Sequence, residues 1–395
     1  MPDVPALYCP DCDCTYPAGP NEPFRCDCGR PLELDADARD TGVEPEPEPV
    51  SLSRLDARRG QWAFEELLAV SPRVTLGEGL TPLVEAPDRD AQFKLEYVSP
   101  TGSFKDRGAA AVVSRALGLG VERVLEDSSG NAGAAVATYA AHAGLDAEVY
   151  VPADVSDAKL TAIRRTGART VRVEGERADV TAACVEAVEA GEGWYASHAW
   201  QPAFLAGTKT FAVEVAAQRD WSAPDAVVMP VGHGTLFLGA YRGFEELSAA
   251  GLIDDVPALY AVQATGYAPI VAALSEGGTD RPGDDPAAAL SPAGTVDSVP
   301  EPAGETNEVA DAVHIRDPVR EEELVAAVRT TGGDAVAVGE ASVERHLDEL
   351  HRAGFYVEPT CAAGPAGLDR LRSRGAIGPG DDVVVPLTGT GLKTT

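Results

Sequence analysis

Two α/β lobes built on parallel sheets, preceded by a small cysteine-bearing module, are the architecture this sequence predicts. Three observations carry the reading. From Thr81 onward, short apolar runs alternate with longer helical patterns, as expected of strands joined by crossover helices. At 395 residues the chain is long enough to bury a substantial core and divide into two lobes. Five of its seven cysteines (Cys9, Cys12, Cys14, Cys26 and Cys28) lie within the first 28 residues, away from the α/β pattern.

In residues 1–34, Tyr8-Cys9-Pro10-Asp11-Cys12 and Arg25-Cys26-Asp27-Cys28-Gly29 look like the two knuckles of a zinc ribbon. Zinc takes four soft ligands in a tetrahedron, and Cys9, Cys12, Cys26 and Cys28 form two thiolate pairs about a dozen residues apart. The first pair has the usual two-residue gap and the second only one residue, so a ribbon without metal and a disulfide-bonded one stay open beside zinc. Residues 35–53 read as an acidic, extended linker, with Glu44-Pro45-Glu46-Pro47-Glu48-Pro49 alternating.

The α/β region is expected over 54–395, its smaller lobe at roughly 108–205 and the larger lobe from the remainder. Residues 54–70 read as an amphipathic helix bearing Trp62, Phe64 and Leu67. Strands are expected at 93–96, 123–126, 147–152, 170–173, 226–231 and 383–387, and helices at 109–117, 131–143 and 156–166. Residues 276–310, rich in Gly, Pro, Asp and Ala without periodicity, read as a disordered surface insertion.

The formal charge is −31, from 63 acidic and 32 basic residues, and Lys94, Lys105, Lys159, Lys209 and Lys393 are the only lysines. Such repulsion destabilises a compact fold in dilute buffer and is screened in concentrated salt. The pattern resembles proteins of salt-loving archaea. It argues against nucleic acid or an anionic membrane as partner. No run reaches the roughly 18 apolar residues of a membrane span. Met1-Pro2-Asp3-Val4-Pro5 lacks a basic-then-apolar leader, so a cytoplasmic location is expected.

Four segments carry the chemistry. Thr101-Gly102-Ser103-Phe104-Lys105-Asp106-Arg107-Gly108 sets a lysine on a turn just before an Ala-rich helix. A partly desolvated amine there is suited to attack an aldehyde. Ser128-Ser129-Gly130-Asn131-Ala132-Gly133 opens a second Ala-rich helix, whose free N–H groups suit an anion. Pro230-Val231-Gly232-His233-Gly234-Thr235-Leu236 lies between a strand and a helix, with glycines that let backbone approach a phosphate closely. Pro386-Leu387-Thr388-Gly389-Thr390-Gly391-Leu392-Lys393 follows the final strand.

In this chain order the four segments resemble pyridoxal-phosphate enzymes of the tryptophan-synthase-β type, most closely threonine synthases. Gly77-Glu78-Gly79-Leu80-Thr81-Pro82-Leu83 and Glu358-Pro359-Thr360-Cys361-Ala362-Ala363-Gly364 add to the likeness, which covers most of 75–395. The resemblance implies a two-lobed fold of type II with pyridoxal 5′-phosphate held on Lys105 in the cleft. It assigns Asn131 to the cofactor 3-hydroxyl and Gly232, His233, Gly234, Thr235 and Leu236 to its phosphate. It assigns Thr388 to the ring nitrogen and Ser128, Ser129 and Gly130 to the substrate carboxylate. A neutral hydroxyl at the ring nitrogen favours elimination and replacement over transamination.

The implied reaction is O-phospho-L-homoserine plus water to L-threonine plus phosphate, by an enzyme whose expected assembly is a homodimer. The sequence departs from the family at His233, where asparagine is usual, at Ala132, where a hydroxyl often stands, and at Phe204. Position 204 usually carries an arginine for the substrate phosphate, and losing a bidentate guanidinium weakens such a site. A threonine or serine ammonia-lyase, needing no second phosphate site, is the alternative, with Lys209 a possible replacement cation for the first reading. A catalytically retired zinc-ribbon interaction protein is the alternative of another class. His233 is read as filling its loop, and Cys361 as a packed small residue.

Overall fold

A computed structural model describes residues 4–35, 52–276 and 306–393. The expected linker therefore lies almost wholly outside the described residues, as does most of the expected insertion. Among the described residues, no helix is long and apolar enough to cross a membrane.

The N-terminal module is a three-stranded antiparallel sheet of β1 (Leu7–Tyr8), β2 (Thr15–Tyr16) and β3 (Glu33–Leu34), with β1 in the middle. Its buried apolar core is only Leu7, Cys9, Cys26 and Leu32, with Tyr16 and Leu34 packed against it. The Sγ atoms of Cys9, Cys12, Cys26 and Cys28 lie within 4.8 Å of one another, and all seven cysteines are free of disulfides.

Residues 54–70 are not the expected α-helix. Ala57–Leu67 is a 3₁₀ segment broken by non-helical backbone at Gly60 and Phe64. The amide of Gln61 turns aside to the Glu78 carbonyl at 2.6 Å. The apolar spacing was sound, since Trp62 and Phe64 are buried, but the chain buries them through a bend at Gly60, whose φ of +56° suits glycine.

The chain then enters the larger lobe with β4 (Leu83–Ala86) and β5 (Ala91–Lys94), and crosses through α1 (Lys105–Leu119), which packs in the core of the smaller lobe. The smaller lobe follows: β6 (Arg123–Glu126), α2 (Asn131–Ala143), β7 (Asp146–Pro152), α3 (Asp157–Arg165), β8 (Arg169–Val173), α4 (Arg177–Glu189) and β9 (Trp194–Tyr195). Its sheet, β8-β7-β6-β9, is entirely parallel.

Two helices, α5 (Pro202–Thr208) and α6 (Thr210–Gln218), lead back to the larger lobe. That lobe continues with β10 (Ala226–Pro230), α7 (Thr235–Ala249), β11 (Ala258–Ala264), α8 (Pro269–Glu276), α9 (Glu321–Thr330), β12 (Ala335–Val338), α10 (Glu340–Arg352), α11 (Pro359–Ser373) and β13 (Val383–Pro386). Its sheet runs β12-β11-β10-β13-β5-β4, parallel except for β4 against β5. The central strands are Val- and Ala-rich and buried on both faces, as parallel strands covered by helices must be.

The far end of the expected surface insertion is interior. Asn307 and Ala310 are fully buried, and Asn307 bonds the Val338 carbonyl at 3.0 Å.

Candidate active site

The four motif segments leave the carboxyl ends of β5, β6, β10 and β13, and three of them open helices. Convergence there is a topological property of parallel sheets, in which loops and helix N-termini gather at one edge. The turn after β13 is sewn to the turn before Lys105. Phe104 N donates to the Thr388 carbonyl at 3.0 Å, and Thr390 N to that of Gly102 at 2.8 Å. On its other side, Glu358 N donates to the Gly389 carbonyl at 3.0 Å.

Lys105 is the first residue of α1, not a member of the preceding turn. Its Nζ donates to Thr235 Oγ1 at 3.3 Å and stands 4.7 Å from the Phe104 ring and 5.6 Å from the Phe204 ring. Desolvation pulls its ammonium down to about 8, against the opposing pull of Glu126 and Glu358. This is an amine that loses its proton near neutrality. The contact with Thr235 joins it to the Gly232–Leu236 loop. There Gly234 takes φ +74° as the residue before α7, and an added Cβ would meet Leu324 at 2.3 Å.

Asn131 begins α2. Its Nδ2 donates to Glu358 at 2.9 and 3.2 Å, and its Oδ1 accepts from Lys393 Nζ at 3.0 Å. The smaller lobe thus meets the larger through an amide held between a carboxylate and an ammonium. Just before it, Gly130 N donates to Ser128 Oγ at 3.2 Å, and Ser128 and Ser129 are partly exposed. Thr388 is nearly buried, its Oγ1 3.4 Å from Cys361 Sγ. Cys361 is fully packed, and burial pushes its thiol up to about 12, so it is no nucleophile near neutrality.

His233 packs edge-on against His198, ring centroids 5.2 Å apart, with its Nδ1 buried and unpartnered. Desolvation holds it down at about 3, so the ring is neutral. Phe204 is wholly buried in α5 with its ring over Gly108, where an added Cβ would come within 2.2 Å. Lys209 faces away, pairing with Glu246 at 2.5 Å, so the cation expected to replace the missing arginine is engaged elsewhere.

Sequence reasoning missed several groups here. Glu126 and His198 form a buried pair at 2.8 Å, with Glu126 pushed well up by burial and by Asp127. Glu358 is raised by burial, and Lys393 is the cation the fold delivers to Asn131. Glu126 was detectable as a carboxylate at the carboxyl end of a predicted strand, immediately before the Ser-Ser-Gly-Asn turn. Nothing local marks His198, and Lys393 ends the fourth motif segment with no local sign of its partner Asn131.

The residues fit a phosphorylated aldehyde cofactor. A low-pKa lysine stands at hydrogen-bond distance from the first residue of a helix that a glycine loop opens. Ser103 Oγ, Glu126 Oε2 and His233 Nδ1 are buried around it without hydrogen-bond partners among the described residues. Buried polar atoms left open beside such an amine can meet the polar groups of a cofactor.

Comparison with known proteins agrees with this geometry. Residues 74–389 match the family model described as pyridoxal-phosphate dependent enzyme. The chain is 36% identical over 343 residues to a threonine synthase of Methanosarcina acetivorans, covering 84% of this chain and 80% of that protein. It is 33% identical over 383 residues to a threonine synthase of Methanocaldococcus jannaschii, covering 94% and 88%. In fold it is similar to the processed threonine deaminase isoform 2 of Solanum lycopersicum, with a TM-score of 0.65 at 19% identity over 91% of this chain and 92% of that one. The chain belongs to the pyridoxal-phosphate-dependent enzymes, as a threonine-synthase-like member of that family.

Proposed function

We propose that this protein is a lyase converting O-phospho-L-homoserine and water to L-threonine and inorganic phosphate. The observation that carries the reading is the Lys105 amine, its proton loosened by burial to about 8, set between the α7 N-terminus and the Thr388 turn in a chain one-third identical to threonine synthases. Pyridoxal phosphate, when bound, supplies the electron sink that makes Cα and Cβ protons removable. Lys105 anchors it and, as a free amine, takes and returns protons at those carbons. The glycine loop 232–234 with Thr235 and Leu236 receives its phosphate on main-chain N–H groups. Asn131 serves its 3-hydroxyl, and the Thr388 hydroxyl its ring nitrogen. Ser128, Ser129 and Gly130 receive the substrate carboxylate at the start of α2. Lys393, whose Nζ donates to Asn131 at 3.0 Å and which forms no ion pair with a carboxylate among the described residues, is the cation for the substrate phosphate in place of the absent arginine.

One observation favours the second reading, a threonine or serine ammonia-lyase. Phe204 fills its position completely and Lys209 is paired with Glu246, so this segment offers no cation to a second phosphate. Release of phosphate from O-phosphohomoserine, measured beside keto-acid formation from threonine, decides between them. Phosphate release at micromolar substrate supports the synthase, and keto acid alone overturns it. A retired scaffold would lack the absorption of lysine-bound cofactor at roughly 410–420 nm.

The charge of −31 supports a cytoplasm rich in salt as the working environment. Exposed acidic groups interact over a Debye length of about 30 Å at 0.01 M salt and about 3 Å at 1 M. The melting temperature should rise across a potassium chloride series, and a flat series would remove the halophilic reading.

A further inference from the structure

We propose that Cys9, Cys12, Cys26 and Cys28 bind one zinc ion, and that the loaded module is a clasp fastening the two lobes together. The sulfurs stand 3.6 Å apart for Cys9 and Cys28, 3.4 Å for Cys12 and Cys26 and 3.8 Å for Cys12 and Cys28. Four thiolates at about 2.3 Å from a tetrahedral zinc stand roughly 3.8 Å apart, whereas a disulfide would bring a pair to about 2.05 Å. The shortened second knuckle still reaches, because the chain reverses at once: Gly29 N returns to the Cys26 carbonyl at 2.8 Å with Gly29 at φ +86°. Tyr16 Oη, 3.2 Å from Cys26 Sγ, accepts from Asp27 N at 3.0 Å and braces that turn. Cys14, whose thiol interacts with Cys12, is not one of the four sulfurs that lie within 4.8 Å of one another.

The second observation is the poverty of the module's own core. Four buried apolar residues cannot hold three two-residue strands, and units this small fold on a metal or disulfide staple.

The module then grips both lobes. On the smaller one, Glu22 accepts from Arg115 of α1 at 2.6 and 2.9 Å with both side chains fully buried. Phe24 packs edge-on against Tyr195 and Trp200 at 5.1 and 5.4 Å. On the larger one, Glu33 accepts from Arg242 of α7 at 2.5 and 2.8 Å and from Arg320 at 2.5 Å. Arg320 also donates to the Leu32 carbonyl at 2.9 Å. Cys26 and Cys28 lie in the chain between these two sets of anchors. The metal therefore fixes the span from one lobe to the other, and that span reaches α1 and α7, the helices carrying Lys105 and Thr235.

Zinc content and hydrogen exchange on the full chain test both halves. One zinc per chain is expected by elemental analysis, kept by Cys14→Ser and lost by the double variant Cys26→Ser/Cys28→Ser. A chain refolded with zinc chloride and desalted that holds none, or a Cys14→Ser protein that loses its metal, overturns the assignment. Removing zinc from the native protein with a chelator should speed amide exchange at least about tenfold in α1 and in α7, away from the module itself. Unchanged exchange in both helices, with the metal gone, overturns the clasp. If the stripped chain unfolds outright, Glu33→Gln decides: it should keep its zinc and loosen α7 while leaving α4 unaffected. Glu33→Gln with zinc retained and α7 exchange unchanged rejects the clasp.

Discussion

Two buried charge clusters lie two residues apart on α1, and they are built on opposite principles. Around Arg107 every group is answered. Its guanidinium donates to both oxygens of Glu96 at 2.7 and 2.8 Å, to both of Glu214 at 2.6 and 2.8 Å, and to Thr210 at 2.9 Å. Lys94 donates to Glu214 at 2.8 Å, to the Thr81 carbonyl at 2.6 Å and to Gln218 at 2.9 Å. Two cations meet two anions in a site closed to water. Around Lys105, by contrast, Nζ has one hydroxyl at 3.3 Å and two aromatic rings, while Ser103, Glu126 and His233 each leave a buried polar atom without partner. Complete networks hold structure, and an incomplete one of this size is kept for a ligand. The protonation states follow. Burial alone would raise Glu214, but Arg107 and Lys94 hold it at about 2, whereas Lys105 finds too little negative charge and falls to about 8.

The sharpest way to test this contrast is Lys105→Ala. It should abolish turnover and the visible absorption while leaving the thermal midpoint within a few degrees of the parent, because an ill-satisfied buried amine contributes little to folding. Colour that survives dialysis would assign the anchor to another lysine. Glu214→Gln should do the reverse. Leaving Arg107 and Lys94 short of a counter-charge costs about 3–5 kcal/mol in urea unfolding. The carboxylate's contribution is fully present above its unfolded pKa of about 4.3 and fades as pH falls toward 2, so the parent should lose stability across that window and the variant should lack that component. A variant as stable as the parent would mean the Arg107 cluster is not structural.

A third change probes the edge of the open cluster. Lys393→Met should raise the Michaelis constant for O-phosphohomoserine about tenfold, equivalent to ~1.4 kcal/mol, and leave that for threonine unchanged. Equal effects on both would reduce Lys393 to a support for Asn131. The mildest test needs no mutation. Because Lys105 falls to about 8, the rate at which the apoenzyme captures pyridoxal phosphate should climb as pH rises through that value and level off above it. A rate still climbing steeply at pH 10 would mean Lys105 titrates as an ordinary lysine.

How much of this could be read from the chain depended on whether the determinants were local. Helix 131–143 and the strand at 123–126 appear where periodicity put them, and Lys105, Asn131, Gly234 and Thr388 come together because each follows the carboxyl end of a parallel strand, the first three where a helix begins. The 54–70 segment departs from the expected helix because apolar spacing reports which side chains are buried, not whether Gly60 bends the backbone. Lys209 reads as available in the chain because the Glu246 that holds it comes from α7, two helices on. The Glu358–Asn131–Lys393 bridge joins residues more than 200 positions apart and has no sequence signature short of the fold.

The position of β13 has a bearing on how the protein is made. Val383–Pro386 is translated after every other strand, yet it lies in the interior of the six-stranded sheet, between β10 and β5. Until those residues clear the ribosome, β10 and β5 each present an unpaired edge, and the Thr388 turn that braces Lys105 does not exist. Synthesis at about 5–20 residues per second leaves the nascent larger lobe open for about 15–60 s after β5 emerges. Chaperone demand should concentrate in that interval, and a message cut short before Val383 should yield an insoluble chain and not a weakened enzyme.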